Sequence, residues 1–401
     1  MKSRSEEFEE WGTEVIFGRA KGFRAAMMRV VLRGASWLFR LVVLARLYLF
    51  HSSIARQARL GMLVVSVGNI TVGGTGKTPV VELLARTLTL RGRKVAILTR
   101  GYKSAELDKP QEWRDKDGRL PENLPKIASD GKTRYLSPLY SGDEPFMLAK
   151  NLDGVAVLVD KNRIKSGIFA IEHLGCDTLL LDDGMQYLKL AHELDIVLVD
   201  CGAPFGTGAM LPRGTLREPR SSLARASYII LTKCGGKPQD ELISAIRKYN
   251  PVADIIVSDH GPRYLENVFT GERLPLKALR GKWVACLSGI ARPESFENSL
   301  RSLGAHVEIC RRFPDHHWFE QTELQEFYDR CADRAMDMIV TTEKDAVRLE
   351  KPEEDPEVAI YFLRIEVEIY QGREAWERCV DRICGISEPR PRDEWQPSSS
   401  F

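Results

Sequence analysis

Short apolar runs alternate with segments of helical spacing through the middle of the chain. The runs predict strands at residues 62–67, 94–99, 154–159, 178–181, 196–199 and 228–231. Apolar residues spaced three or four apart predict helices at residues 80–90, 144–152 and 163–173. Because strands that alternate with helices pair in parallel, this pattern predicts an α/β protein with a mostly parallel sheet.

The second half of the chain shows a different pattern. Residues 253–276 alternate apolar and polar positions around turn signals at residues 261–262 and 270–271, which predicts a β-ribbon linker. Strands predicted at residues 284–287, 305–309 and 338–341 indicate a smaller C-terminal α/β domain. The predicted organisation is an N-terminal helical segment at residues 1–61, a core at 62–252, the linker at 253–276, the C-terminal domain at 277–385 and a disordered tail at 386–401.

The N-terminal segment is strongly apolar and also basic. Residues 37–50 contain twelve apolar or aromatic residues in fourteen, interrupted by Arg40 and Arg46. A spanning helix needs about 20 apolar residues, so this stretch is too short and too charged to cross a bilayer. On a helix, Arg29, Arg33 and Arg40 lie within about 40° of one another. The pattern predicts an amphipathic helix on an anionic membrane surface, with a helix docked on the protein's own core as the alternative.

A glycine-rich loop lies between the first strand and the first core helix. It consists of Thr71, Val72, Gly73, Gly74, Thr75, Gly76, Lys77 and Thr78. Glycines let the backbone N–H groups turn toward a phosphate, the lysine reaches the β- and γ-phosphates, and the last hydroxyl binds Mg²⁺. Thr71 stands where a glycine is usual. The loop predicts binding of ATP or GTP in a P-loop NTPase core; the alternative is a glycine-rich turn of an ordinary α/β protein.

Two adjacent carboxylates end the strand at residues 178–181. Asp182 and Asp183 precede Gly184, and acids at the carboxyl end of a buried strand hold Mg²⁺ in phosphate-loop enzymes. The alternative is that they cap the following turn. Asp200 ends another strand, and we expect a structural role for it.

Three further polar clusters lie in segments predicted as loops. Asp143 precedes a helix and is either a reactive carboxylate or a helix cap. Residues 211–219 contain a charge pair between prolines and glycine, typical of a rigid ligand-facing loop or of a solvated turn. His316 and His317 are adjacent and so point in different directions, which favours one orienting or general-base histidine over a two-histidine metal site.

Composition restricts the possible functions. The 401 residues are 43% hydrophobic and carry a net charge of +2, which argues against general nucleic-acid binding through a basic surface. The eight cysteines show no zinc-site spacing, so we expect reduced thiols in a cytoplasmic compartment.

Seven segments together resemble one known family. The first is the phosphate loop. The other six are Thr-Arg-Gly-Tyr at residues 99–102, Gly-Asp-Glu-Pro at 142–145, Leu-Asp-Asp-Gly-Met-Gln at 181–186, Leu-Arg-Glu-Pro at 216–219, Phe-Pro-Asp-His at 313–316 and Thr-Thr-Glu-Lys-Asp-Ala-Val at 341–347. In this order they resemble the tetraacyldisaccharide 4'-kinase family of lipid A biosynthesis. The resemblance extends from about residue 37 to residue 383.

The resemblance implies an ATP- and Mg²⁺-dependent kinase. Its acceptor would be the 4'-hydroxyl of a tetraacylated glucosamine disaccharide 1-phosphate, met at the cytoplasmic face of a Gram-negative inner membrane, with no obligate protein partner. Asp143 would accept the hydroxyl proton, His316 would orient Asp143, and Lys77 would neutralise phosphoryl charge. Thr78, Asp182, Asp183 and Glu218 would hold or orient Mg²⁺. Asp143 and His316 lie in different predicted domains, so domain closure would complete the site.

Two other classes of protein share parts of this pattern. A membrane-associated P-loop ATPase switch combines a similar loop with an amphipathic helix, but it places a second lysine where this chain has Val72. A GTPase is a weaker possibility, based on Thr232-Lys233-Cys234 after a strand.

Overall fold

The computed structural model describes residues 11–102, 104–107, 113–115, 117–119, 124–352 and 356–385. The tail predicted at residues 386–401 lies outside these ranges. Residues 11–16 are helical and precede the first long helix.

A single mixed sheet organises the described part of the chain. Its strands are β1 (Leu63–Asn69), β2 (Val95–Thr99), β3 (Lys126–Asp130), β4 (Ala156–Val159), β5 (Thr178–Asp182), β6 (Leu194–Asp200), β7 (Tyr228–Thr232), β8 (Asp254–Asn267), β9 (Arg273–Pro275), β10 (Trp283–Ser288), β11 (His306–Arg312), β12 (Met338–Thr342) and β13 (Ile360–Gln371). The order is β11-β10-β12-β13-β8-β7-β6-β1-β5-β2-β4-β3, with β9 pairing against β8. Only the β13–β8, β3–β4 and β8–β9 pairs among these strands are antiparallel, so the prediction of a mostly parallel sheet is confirmed.

Helices connect the strands and cover the sheet. They are α1 (Phe23–His51), α2 (Lys77–Leu90), α3 (Pro138–Ser141), α4 (Asp143–Asn151), α5 (Arg163–Glu172), α6 (Asp240–Arg247), α7 (Pro293–Ser302), α8 (Gln321–Asp333), α9 (Glu343–Ala346) and α10 (Arg373–Gly385). Strands β1, β2, β4, β5 and β7 are buried along their whole length. Parallel strands covered on both faces need continuous apolar runs, which explains why their sequences do not alternate.

Two parallel regions of the sheet meet at the long antiparallel pair of β8 and β13. Strand β8 begins parallel to β7 and runs on antiparallel to β13. The turn predicted at residues 261–262 is wrong: both residues lie inside β8, beside an irregularity in its register with β13. Residues 268–270 do form a turn, which leads to β9. The ribbon therefore takes its second long strand from a segment about a hundred residues further along the chain. The proposed domain bounds stay a prediction.

Helix α1 lies against the core along one narrow stripe. Its Ser36 hydroxyl donates to the backbone carbonyls of Met210 and Leu211, and Phe39 and Val43 pack on the apolar cluster beneath. Other apolar side chains of α1 face outward, with Val30 69% and Trp37 61% exposed. No helix in the described part of the chain combines the length and apolarity needed to cross a membrane.

Candidate active site

The phosphate loop links β1 to α2 as the sequence predicts. Gly73 and Gly76 take φ values of 112° and 82°, which L side chains rarely adopt, whereas Gly74 does not need a positive φ. A Cβ atom at Gly76 would also overlap the imidazole of His260 on β8. Burial and the nearby Lys233 ammonium lower the pKa of His260 to about 4, so this ring packs on the loop uncharged.

A second loop braces the phosphate loop from the side. The N–H of Val72 donates to the carbonyl of Thr215 at 2.8 Å, and the N–H of Arg217 donates to Ile70 at 2.8 Å. This pairing fixes residues 211–219 beside the nucleotide loop and buries Glu218. The alternative of a solvated surface turn is therefore wrong.

Lys77 begins α2 and faces two side chains on neighbouring strands. Its Nζ lies 3.4 Å from Asn69 Oδ1 and 3.4 Å from Asp183 Oδ1. The side chain is only 14% exposed. An ammonium so placed at the mouth of the loop is available to phosphoryl oxygens.

Asp182 ends β5 with one carboxylate oxygen lacking a partner. Its Oδ2 accepts from Thr99 Oγ1 at 3.3 Å, while the buried Oδ1 has no hydrogen bond. Burial, together with the negative charges of Glu144 and Asp183, raises the pKa of Asp182 to about 7. A buried carboxylate oxygen without a donor, surrounded by other acids, fits a divalent cation.

The other two acids predicted to bind metal are held by arginines. Arg217 Nη1 lies 2.7 Å from Asp183 Oδ2, and Arg225 Nη2 lies 2.7 Å from Glu218 Oε2. Burial acts to raise the pKa of Asp183, yet Lys77 and Arg217 hold it below its usual value. In the described part of the chain, no three His, Cys, Asp or Glu side chains converge closely enough to hold a metal ion.

Glu144 is a site residue that the sequence analysis did not single out. Its Oε2 accepts a hydrogen bond of 3.0 Å from the Thr78 hydroxyl, the group predicted to bind Mg²⁺. The signal was present, since Glu144 directly follows Asp143 in the same motif and occupies the first turn of α4.

Asp143 and His316 meet across the sheet although 173 positions separate them. His316 Nδ1 lies 3.0 Å from Asp143 Oδ2, and Asp143 is only 7% exposed. Gly142 holds the cap position of α4, and no side chain caps that helix, so the reading of Asp143 as a helix cap is wrong. The contact agrees with the pairing that the family resemblance implied.

Lys344 contacts the other face of this pair. Its Nζ lies 3.2 Å from His316 Nε2 and 3.0 Å from Asp315 Oδ1. Because an ammonium can only donate, Nε2 of His316 accepts from Lys344, and Nδ1 is then the ring nitrogen that donates to Asp143. His317 contacts a different side chain, with its Nε2 2.8 Å from Glu323 Oε2.

A second set of contacts joins the phosphate loop to the ends of β6 and β7. Thr232 Oγ1 donates to the Thr75 carbonyl at 2.8 Å, and the Lys233 ammonium reaches Asp200 Oδ2 at 2.9 Å and the Gly74 carbonyl. These contacts give Asp200 the structural role expected for it. Cys201 and Cys234 form a disulfide, so the expectation of eight reduced thiols is wrong for this pair.

A cavity of about 630 Å³ opens between α1 and the core beside these residues. Its walls have two characters. Apolar side chains of α1, including Phe39, Val42 and Leu47, form one side, while Arg100, Lys161, Arg163 and Arg217 of the core contribute positive charge on the other. Asp183 and Glu218 also line it. We call this space the acceptor cavity, after the role proposed for it below.

Known proteins similar to this chain give its family. The model of the LpxK family, described as tetraacyldisaccharide-1-P 4'-kinase, matches residues 28–384. A tetraacyldisaccharide 4'-kinase from Anaeromyxobacter sp. (strain K) is 39% identical over 392 residues, covering 95% of this chain and 98% of the relative. One from Syntrophus aciditrophicus (strain SB) is 37% identical over 347 residues, covering 83% and 87%.

A solved structure agrees with these relatives. The crystal structure of LpxK from Aquifex aeolicus in complex with ATP superposes with a TM-score of 0.68 at 27% identity, covering 89% of this chain and 99% of that one. Fold, motifs and sequence similarity over nearly the whole length agree, and the chain belongs to the tetraacyldisaccharide-1-phosphate 4'-kinase family.

Proposed function

We propose that this protein transfers the γ-phosphoryl group of ATP to the 4'-hydroxyl of a tetraacylated glucosamine disaccharide 1-phosphate, a step of lipid A biosynthesis. The observation that carries the proposal is the acceptor cavity, which joins apolar side chains of α1 to basic side chains of the core and is lined by Asp183, a contact of Lys77 in the phosphate loop. The acyl chains of an acylated, phosphorylated sugar need apolar contacts, and its phosphate needs positive charge in the same site. A protein that only hydrolyses ATP does not need such a cavity.

Asp143 is the proposed base. As the acceptor oxygen attacks the γ-phosphorus and ADP leaves, the Asp143 carboxylate takes the proton of the hydroxyl. His316 donates to Asp143 through Nδ1 and so keeps the carboxylate in one orientation. Lys77 offsets the charge that develops on the transferring oxygens, as phosphoryl transfer depends mainly on positioning and charge stabilisation.

Thr78, Asp182 and Glu144 are the proposed holders of Mg²⁺. The unpaired Oδ1 of Asp182 and the contact between Thr78 and Glu144 support this set. Bound there, the ion would supply positive charge to the phosphate oxygens of ATP. The sequence analysis also assigned Asp183 and Glu218 to the metal. Asp183 would instead orient Lys77 and Arg217, and Glu218 would orient Arg225, through the ion pairs described above.

We place the protein at the cytoplasmic face of the bacterial inner membrane, where both ATP and a bilayer-embedded acceptor are available. The exposed apolar side chains of α1 support a helix that lies in the membrane interface. The acceptor would then enter the cavity sideways from the lipid phase, with its acyl chains along α1.

Transfer of labelled γ-phosphate tests this function directly. With Mg²⁺ and the acceptor in mixed micelles, we expect wild type to produce labelled lipid and Lys77→Met to lose about 10³-fold in rate, because phosphoryl charge is left unbalanced. Lys94→Met removes an exposed lysine at the start of β2, outside the site, and serves as the control. Phosphate release without labelled lipid, unaffected by the acceptor, would favour the ATPase switch instead.

Arg100 provides a test of the acceptor cavity. Arg100→Gln removes one positive charge facing the proposed lipid phosphate, and we expect the KM for the acceptor to rise about tenfold while the KM for ATP stays constant. Arg280→Gln, an exposed arginine outside the cavity, should leave both constants unchanged. A rise in the KM for ATP with no change for the acceptor would show that Arg100 serves the nucleotide.

A further inference from the structure

A second cavity lies along α1, where Arg33, Ser36, Trp37 and Arg40 line it in place of the helix residues that line the acceptor cavity. It has a volume of about 710 Å³ and separates α1 from the loop of residues 207–221. Arg33 and Arg40 enter it from the helix, and Arg213 and Arg220 enter it from the loop. We call this space the arginine cavity. Arg33 and Arg40 belong to the basic stripe predicted for α1, and both are exposed at the cavity.

The four arginines have no acidic partner among the residues that the structure describes. Arg40 lies over the Trp37 ring at 5.7 Å and Arg220 over the Phe205 ring at 4.6 Å. Arg213 donates through Nη1 to the carbonyl of Ile16 at 3.0 Å, and its buried Nε has no hydrogen-bond partner. By contrast, the nearby Arg217 and Arg225 each contact a carboxylate at 2.7 Å.

Four uncompensated guanidinium groups around one cavity create a strongly positive field. Guanidinium is always charged and presents paired donors that match the oxygens of a phosphate. Gathering such groups without acids costs repulsion in the free protein, and a bound anion relieves it. Arg40 and Arg220, which lie over aromatic rings, line the cavity with their charge uncompensated by a carboxylate.

The position of the cavity indicates which anion. Along the same helix, Val30 is 69%, Trp37 is 61% and Leu41 is 58% exposed. If α1 lies in the membrane interface, as the proposed function requires, the arginine cavity lies at the level of the lipid headgroups. The phosphate of the acceptor already has a basic wall in the acceptor cavity, so the second cavity is free for another lipid.

We propose that the arginine cavity binds the phosphate of an anionic phospholipid headgroup and so fixes α1 on the membrane. The site is distinct from the acceptor cavity and takes no part in phosphoryl transfer. It orients the enzyme so that the acceptor cavity opens toward the bilayer.

Vesicle binding of the full-length protein tests this proposal. Wild type should bind vesicles of phosphatidylcholine with phosphatidylglycerol more tightly than vesicles of phosphatidylcholine alone. The pair Arg213→Gln/Arg220→Gln lies off the helix, and we expect it to reduce that preference about tenfold, since each basic residue near an anionic surface contributes measurably. The control pair Lys237→Gln/Arg330→Gln removes the same charge from exposed positions outside both α1 and the cavity and should keep most of the preference.

Several outcomes would overturn the proposal. An equal loss in the control pair would mean that only net charge matters, and an unchanged preference in the test pair would mean that the cavity is not used. A raised KM for the acceptor in neutral-detergent micelles, with vesicle binding intact, would assign the cavity to the acceptor. If the loop variants unfold, Arg33→Gln/Arg40→Gln on the helix must give the same loss. The vesicle preference would persist even if no kinase activity were found, which separates this proposal from the proposed function.

Discussion

Replacing Asp143 with asparagine is expected to lower kcat about 10³-fold, in the range that general-base catalysis contributes. The substitution keeps the shape of the side chain but removes its ability to take a proton. Because Asp143 lies beside the phosphate loop without touching Lys77 or Thr78, we expect the KM for ATP to change by less than about twofold. Initial rates of lipid phosphorylation at saturating ATP, compared with equilibrium ATP binding, measure both quantities.

Asp153→Asn is the matched control for this experiment. Asp153 is an exposed carboxylate just beyond the end of the same helix, so its substitution should leave kcat unchanged. Since His316 acts through Asp143, His316→Asn combined with Asp143→Asn should be little worse than Asp143→Asn alone. If the two effects multiply instead, or if Asp143→Asn retains wild-type kcat, the base must be another group.

Features of this site that depend only on residues close together in the sequence could be predicted from that sequence. The glycines of the phosphate loop, Lys77 and the acid at the end of β5 all follow from a strand, a turn and a helix in succession. The pairing of Asp143 with His316 came only from the family resemblance. Nothing in the spacing of residues 173 positions apart dictates a contact of 3.0 Å.

Contacts that depend on tertiary packing were missed for the same reason. Asp183 and Glu218 have the residue type of metal ligands, yet Arg217 and Arg225 already hold their oxygens. Lys344 reaches His316 because α9 directly follows the carboxyl end of β12, and β8 pairs along its length with β13, about a hundred residues away. Periodicity reports which face of an element is buried, but it does not identify the element that covers it.

One buried ion network joins the nucleotide helix to the C-terminal part of the sheet. Arg364 on β13 contacts Glu82 of α2 and lies 2.8 Å from Glu343 of α9. Asn151 donates to Glu343 at 2.7 Å and to Glu82 at 3.3 Å. The Arg364 side chain is 6% exposed and the two glutamates are about equally enclosed. This network holds α2, α4 and α9 around one guanidinium.

Arg364→Met is expected to lower the free energy of unfolding by about 3–5 kcal/mol, because it leaves the buried Glu343 carboxylate without its cation and Glu82 with only the half-exposed Arg86. Urea unfolding followed by circular dichroism measures the change. Arg91→Met is the control, since Arg91 also bridges two acids, Glu377 and Asp381, but all three side chains are largely exposed. Exposed pairs of this kind contribute at most about 1 kcal/mol. Equal destabilisation by both variants would contradict the role of burial.

The decrease in the free energy of unfolding caused by Arg364→Met should also depend on pH. Burial already raises the pKa of Glu343 despite the opposing charge of Arg364, and removing that charge raises the pKa further. A carboxyl group whose pKa is higher in the folded state contributes stability at low pH that is lost as the pH rises. Arg364→Met should therefore be less destabilising at pH near 5 than near 8, and adding Glu82→Gln and Glu343→Gln should recover stability at the higher pH. A loss that is independent of pH would show that packing, and not unpaired charge, accounts for the effect.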